Sequence, residues 1–263
     1  MSIVPIPHCI ILCGLPASGK SALARALAHA FERSNENARV AIIDIDKIRG
    51  RYYRETGIEH EFQHDLEGTI RDKMKEEVHS ALMNTHYVII DDMNYYRSMR
   101  REIIEICAGN SFFFTILYIS TPETTCIEWN EHRKNPVPES VIKNVSSKFD
   151  KPGTRVYQWD EPFIILDLSN YTLTTAISIY MSKIVEISNN LSPTKLKLKL
   201  EEREKSLSTW NLALQNYNSS NGDISSTRSI KDLRKQCSRS PLHKFDLALR
   251  DLIHEYTIKN GPL

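Results

Sequence analysis

The chain contains no apolar run approaching the ~20 residues that a membrane-crossing helix needs, so no spanning segment is expected. A basic start followed by an apolar stretch and a small-residue cleavage site is also missing, and no secretory signal is read. Cysteine is sparse and odd in number: Cys9, Cys13, Cys107, Cys126 and Cys237 are scattered, which excludes a disulfide framework. Core thiols in a reducing, cytoplasmic setting fit this usage better than zinc ligands. There is no internal repeat. Nor is there an excess of either charge, since the formal net charge is +1. With 41% hydrophobic and 25% charged residues over 263 positions, the chain has enough material for one large globular domain or two ordinary ones.

The near-zero total hides an asymmetry. Residues 195–263 carry thirteen Lys+Arg against eight Asp+Glu, a net +5, and the remainder carries −4. A basic tail behind an acidic front suggests contact with an anion, nucleic acid among them. A solvated pair of charged helices has the same signature.

What is present is organised around Gly14-Leu15-Pro16-Ala17-Ser18-Gly19-Lys20-Ser21. It follows the apolar run Cys9–Cys13 and opens a helical pattern from Ser21 to Phe31. Strand, glycine-bounded loop and helix are the context in which G-x-x-x-x-G-K-[ST] reads as a phosphate cradle. Its amides and the positive helix end hold a polyphosphate. Lys20 reaches the β and γ phosphates, and the Ser21 hydroxyl ligands Mg²⁺. The alternative is a glycine turn that binds nothing. The pattern points to a nucleoside triphosphate, ATP, with Mg²⁺ as cofactor.

Along the chain, short apolar runs alternate with helical periodicity. Arg39–Asp46, His86–Asp92, Phe112–Ile119 and Phe163–Asp167 read as strands two to five. Glu61–Met83 reads as a helix with Leu66, Ile70, Met74 and Val78 at four-residue spacing, and Met99–Cys107 as another. Thr121 is the expected cap of the next helix, with Pro122 in its first turn. The expectation is an α/β fold: a P-loop NTPase-type parallel five-stranded sheet with helices on both faces. Residues 1–188 form this domain, and 189–263 a small, basic helical one. In the tail, 216–226 reads as a loop or disordered link, and Arg228, Lys231, Lys235 and Arg239 fall on one narrow helical face.

Ligands of such sheets sit beyond the C-terminal strand ends, where the acids lie. Asp91 closes the third apolar run, the usual place of a carboxylate that holds Mg²⁺ through water. Asp92 is left to an acceptor or network role, and the sequence does not divide the pair. Asp46, just past strand two, is a candidate base for the attacking hydroxyl, and Arg49 a candidate to steady the transferring group. An exposed Asp–Arg helix pair without chemistry is equally consistent. Residues 129–138 lie between two helices like a lid, with Arg133 and Lys134 placed to close over phosphates, or simply as a basic loop.

Three segments together resemble the phosphoseryl-tRNA kinase family: Leu12–Ser21, Asp91-Asp92-Met93-Asn94-Tyr95-Tyr96-Arg97-Ser98-Met99-Arg100, and Lys148–Gly153 with Trp159–Phe163. The likeness spans roughly residues 8–168 and is weaker in the tail, where that family carries a tRNA-gripping helical domain. The resemblance implies ATP-dependent phosphorylation of the seryl group on seryl-tRNA(Sec), with Asp46 as base and Arg49 and Arg133 stabilising charge. It implies that Asp92, Asn94, Tyr95 and Tyr96 shape the aminoacyl pocket and that the basic tail positions the tRNA. One departure stands out: the family lid usually offers arginines four apart, and here the first is Trp129. A sister group of tRNA-modification ATPases, partners of the elongator complex that acts on wobble uridines, shares the loop and the Trp-Asp-x-Pro signature. A kinase of a small metabolite, with the tail used for homodimerisation, is the third reading.

Overall fold

The computed structural model describes residues 7–57, 64–110, 112–154 and 158–190. One compact unit takes in Met1–Cys107 and Phe112–Val185. The rest of the chain, and with it the expected 189–263 domain, the 216–226 link and Arg228, Lys231, Lys235 and Arg239, lies almost wholly outside the described residues.

Within the unit, β1 (His8–Gly14) is followed by α1 (Lys20–Ser34), β2 (Val40–Asp44), α2 (Ile45–Thr56) and α3 (Glu67–Asn84). Then come β3 (Tyr87–Asp91), α4 (Arg97–Gly109), β4 (Phe113–Ile119), α5 (Glu123–Glu131), α6 (Glu139–Ser147), β5 (Ile164–Leu166) and α7 (Leu173–Asn190). The five strands pair in parallel in the order β2-β3-β1-β4-β5. All seven residues of β1 are buried. Side chains of a strand alternate between faces. Accordingly Cys9, Ile11 and Cys13 pack with the α3 stripe Ile70, Met74, Val78 and Leu82. Ile10 and Leu12 pack instead with Leu23, Leu27 and Phe31 of α1 and Tyr180 of α7. Each fully buried aliphatic contributes about 1.5–3 kcal/mol over exposure, so a strand buried on both sides is the platform from which the phosphate loop projects.

Two local expectations are corrected. The helix expected from Glu61 begins in the described residues with a 3-10 turn at His64–Leu66 and becomes α-helical at Glu67. Thr121 does not cap α5, whose cap position is Pro122 with no side-chain bond. Its hydroxyl instead donates to the Ser18 carbonyl at 3.1 Å and accepts from the Leu168 amide at 3.3 Å, tying the phosphate loop to the chain after β5.

The turn that leaves β3 is held by a buried ion pair. Arg100 of α4 is fully buried and grips Asp160 with two bonds, Nε to Oδ1 at 2.6 Å and Nη2 to Oδ2 at 2.8 Å. Its third nitrogen, Nη1, donates to the Asn94 carbonyl at 2.8 Å. Asn94, in the left-handed region at φ 45°, donates from Nδ2 to the Leu12 carbonyl at 2.7 Å, and the Gly14 amide donates to the Met93 carbonyl at 3.0 Å. The stretch after Asp91 is thereby stapled to the end of β1.

A second polar cluster sits at the opposite end of β1. His8 Nε2 lies 2.9 Å from Thr115 Oγ1 and 3.2 Å from the Tyr180 hydroxyl, with the ring tilted on Phe113. Burial pushes its pKa down to about 3, so the ring is neutral in the folded chain.

Both clusters can be tested by unfolding. Between the unfolded value near 6.5 and the folded value of about 3, the unfolded chain binds the His8 proton and the folded chain does not. Stability from this group is therefore complete above the unfolded value and is lost as pH falls across the window. Urea midpoints from pH 3.5 to 7.5 should fall more steeply for wild type than for His8→Phe, and equal slopes would refute it. For the ion pair, Asp160→Asn should cost about 3–5 kcal/mol in urea unfolding, because it strands the buried Arg100 charge, and Arg100→Met should cost less, because Arg97 Nε still donates to Asp160 at 3.2 Å. Arg100→Lys should rescue little, since an ammonium cannot match the fork. A double variant Arg100→Met/Asp160→Leu should recover much of the loss. Additive losses would show the pair is uncoupled.

Candidate active site

The phosphate loop leaves β1 at Gly14, where a Cβ would lie 2.7 Å from the Ile119 carbonyl oxygen, so no larger residue fits. Ala17 and Gly19 take positive φ of 59° and 95°, which turns the loop back under the start of α1. The first amides of a helix lack partners within it, and here they belong to a fifteen-residue helix opening at Lys20. Lys20 itself is buried. Its ammonium folds across the loop, donating to the carbonyls of Gly14 at 3.1 Å and Leu15 at 2.5 Å and to Ser18 Oγ at 3.3 Å. Burial lowers the Lys20 pKa, against the fields of Asp91 and Asp92 that raise it.

The two acids after β3 have separate surroundings. Asp91 accepts a hydrogen bond from the Ser21 hydroxyl, and Asp44 stands next to it in the β2–β3 register. Asp92 caps the Met93 amide at 2.7 Å and pairs with Arg71 of α3 at 3.7 Å. Burial raises the pKa of both carboxyls. Ser21 and Asp91 thus form a pair of hard oxygen donors at the loop. This suits a Mg²⁺ that keeps several waters and phosphate oxygens rather than one caged by protein, and no group of three or more metal-binding side chains occurs among the described residues.

On the other side, α2 begins directly after β2, capped by Asp44, whose carboxylate accepts from the Lys47 amide at 3.1 Å. Asp46 is 81% exposed, and Arg49 Nη1 donates to it at 2.5 Å. Glu67 of α3 holds the other edge of that guanidinium, at 3.0 Å from Nε and 3.2 Å from Nη2. Asp46 is close enough to Asp92 to raise its pKa. Glu67 and Arg71, which complete this side, carry no signal in the sequence beyond helical polar positions. Arg71 Nη2 is buried without a hydrogen bond, 3.7 Å from Glu102.

The Asn94-Tyr95-Tyr96 segment divides. Asn94 is fully buried: its Nδ2 donates to the Leu12 carbonyl, while its Oδ1 is buried without a hydrogen-bond partner among the described residues. Tyr95 and Tyr96 are half-buried with ring centroids 4.1 Å apart, and desolvation with the neighbouring phenol pushes the Tyr95 pKa up to about 12. Arg133 and Lys134 are exposed in the connection between α5 and α6 and form no side-chain hydrogen bond or ion pair among the described residues. That connection is cinched by Asn130, which bonds both the amide and the carbonyl of Val137. Trp129 leans over the phosphate loop, with its ring edge 3.5 Å from where a Gly19 Cβ would stand.

Known proteins share much of this chain. Over 193 residues it is 33% identical to L-seryl-tRNA(Sec) kinase of Methanococcus maripaludis, covering 73% of this chain and 69% of the relative. It is 25% identical over 191 residues to a KTI12 homologue of Arabidopsis thaliana, 67% of this chain but only 60% of that protein. Among solved structures, Chaetomium thermophilum Kti12 in complex with ADP-AlF3 superposes with a TM-score of 0.51 at 20% identity, over 66% of this chain and 97% of that one. A gluconokinase from Sinorhizobium meliloti gives 0.50 at 18% identity, over 71% and 96%. The fold is that of the P-loop kinases. A family model described as chromatin associated protein KTI12 matches residues 8–239, and the chain belongs to that family.

Proposed function

We propose that the chain is an ATP- and Mg²⁺-dependent phosphotransferase that phosphorylates the seryl hydroxyl of seryl-tRNA(Sec). The observation that carries this reading is the differing commitment of three carboxylates around one phosphate loop. Asp91 is bonded to Ser21, Asp92 is paired with Arg71, and Asp46 alone is open to solvent. An alcohol acceptor needs such an accessible carboxylate, while an ATPase needs only a positioned water.

In this reading the loop amides and Lys20 hold the triphosphate, exchanging the Gly14 and Leu15 carbonyls for phosphate oxygens. Ser21 and Asp91 would hold Mg²⁺, which neutralises charge on the β and γ phosphates. Asp46 takes the proton from the serine hydroxyl as its oxygen bonds to the γ phosphorus and ADP leaves. Arg49, braced by Glu67, and Arg133, from the lid connection, stabilise charge that builds up in transfer. Tyr95 and Tyr96 flank the acceptor, and the basic residues Arg228, Lys231, Lys235 and Arg239 grip the tRNA. A 33% identical relative named as a seryl-tRNA kinase supports this choice of acceptor.

The second reading is a tRNA-stimulated ATPase that serves a wobble-uridine modification complex, favoured by the family match and the KTI12 homologues. The location of label from γ-labelled ATP separates the readings when the chain is incubated with seryl-tRNA and with unacylated tRNA. The kinase reading expects label on the seryl ester. Inorganic phosphate released in response to either tRNA would establish the ATPase, and turnover indifferent to tRNA a small-acceptor kinase. Asp46→Asn should lower transfer by about 10²–10⁴-fold while leaving ATP affinity nearly intact by calorimetry. Transfer near the wild-type rate would remove Asp46 as the base.

A further inference from the structure

We infer that an open groove along α2 carries the phosphate backbone of the acceptor RNA to Asp46. This deepens the proposal above and rests on its RNA-borne acceptor. The groove has a volume of about 530 Å³ and is lined by Asp46, Lys47, Gly50, Arg51 and Arg54. Asp46, Gly50 and Arg54 stand four residues apart, and Lys47 and Arg51 form the adjacent row, so one helical face supplies the whole lining. From Lys47 to Arg54 the helix rises about 10 Å at 1.5 Å per residue, a run of cations that begins beside the proposed base.

The floor is bare. A Cβ on Gly50 would meet only the Arg54 Nη1 atom, at 3.8 Å. The walls are charged but weakly committed. Lys47 is 78% exposed and 3.4 Å from Asp44, Arg51 is half-exposed against Glu77, and Arg54 pairs with no carboxylate among the described residues. Exposed pairs of this kind contribute little, so phosphates can replace the carboxylates at little cost and gain charge-assisted bonds. Arg49, on the same helix but locked by two bonds to Glu67, shows what a committed arginine looks like here. A groove for a small neutral alcohol would have no use for three cations in file. A chain of phosphates uses all of them.

Fluorescence anisotropy of end-labelled, unacylated tRNA with the full-length chain, between 50 and 300 mM KCl, tests this. Arg51→Gln/Arg54→Gln should weaken binding about 5–20-fold at 100 mM and lower the slope of log Kd against log salt by about 2, close to 0.9 for each phosphate no longer neutralised. Gly50→Leu should also weaken binding by filling the floor, yet melt no lower than wild type, because leucine favours a helix over glycine and a Cβ there meets only Arg54 Nη1 at 3.8 Å. The charge-matched control is Arg25→Gln/Arg33→Gln on exposed positions of α1, which should bind like wild type. Groove variants that bind like this control would overturn the inference, whatever the enzyme does. If the wild type puts no label on seryl-tRNA while the groove variants still lose RNA affinity and salt slope, the seryl kinase reading fails and the groove stands.

Discussion

Everything at the candidate site depends on a turn that would not hold its shape without a buried guanidinium. Arg100 is fully buried, and two of its nitrogens close on Asp160, sixty residues away in sequence. Its reach to the Asn94 carbonyl, and Asn94's own bond to Leu12, fix where β3 ends relative to β1. Asp91 and Asp92 are the two acids just before that staple. As successive residues at the end of β3 they point to opposite sides, Asp91 toward Ser21 and Asp92 toward Arg71. A buried pair is weak evidence for stability, since a well-packed apolar substitute often does as well. Its value here is geometric: the turn just after Asp91 and Asp92 is held by charge and fork geometry.

The same low dielectric sets the electrostatics of the loop. Lys20 is buried deeply enough to be pushed toward neutrality, and Asp91 and Asp92 are pushed the same way from the other side. Each supports the other's charge across the site. In the proposed reading a triphosphate with its metal would supply both counter-charges at once, so loading the site would relieve three desolvated groups together. The Thr121 tie to the Ser18 carbonyl limits how far the loop can relax as this happens.

The sheet was legible because its signal is local: five apolar runs, each ended by turn residues or acids, give five parallel strands within one or two residues of their expected bounds. The glycine loop was legible for the same reason. What the sequence could not show were contacts that close over long separations. Thr121 sits where a cap residue should, and Pro122 completes the local pattern, yet the hydroxyl serves Ser18, 103 residues away. Glu67 and Arg71 are ordinary helix-surface residues until α3 packs beside α2. The Asp-Asp-x-Asn-Tyr-Tyr segment stands out in the sequence, but the bond from Asn94 Nδ2 to the Leu12 carbonyl, 82 residues away, carries no local signal. The lid and the tail stay with the chemistry proposed for them, since Arg133 and Lys134 are exposed and the tail cations lie outside the described residues.

The three carboxylates also explain why one loop can serve either of the two proposed chemistries. The metal role proposed for Asp91 calls for an ionised carboxylate, and the Ser21 hydroxyl and the Lys20 field work toward that against the burial that raises its pKa. Accepting a proton from an incoming alcohol needs a carboxylate that the alcohol can reach, and burial would forbid it. Asp46 has that exposure because α2 starts at once after β2, which carries it into solvent, with Arg49 donating to it. If Asp46 is the base proposed above, burying it under a partner would remove that base while leaving the phosphate loop, Ser21 and Asp91 in place. In the proposed reading, the difference between hydrolysing ATP and transferring phosphate to an alcohol rests on the exposure of Asp46, and on what is led there along α2.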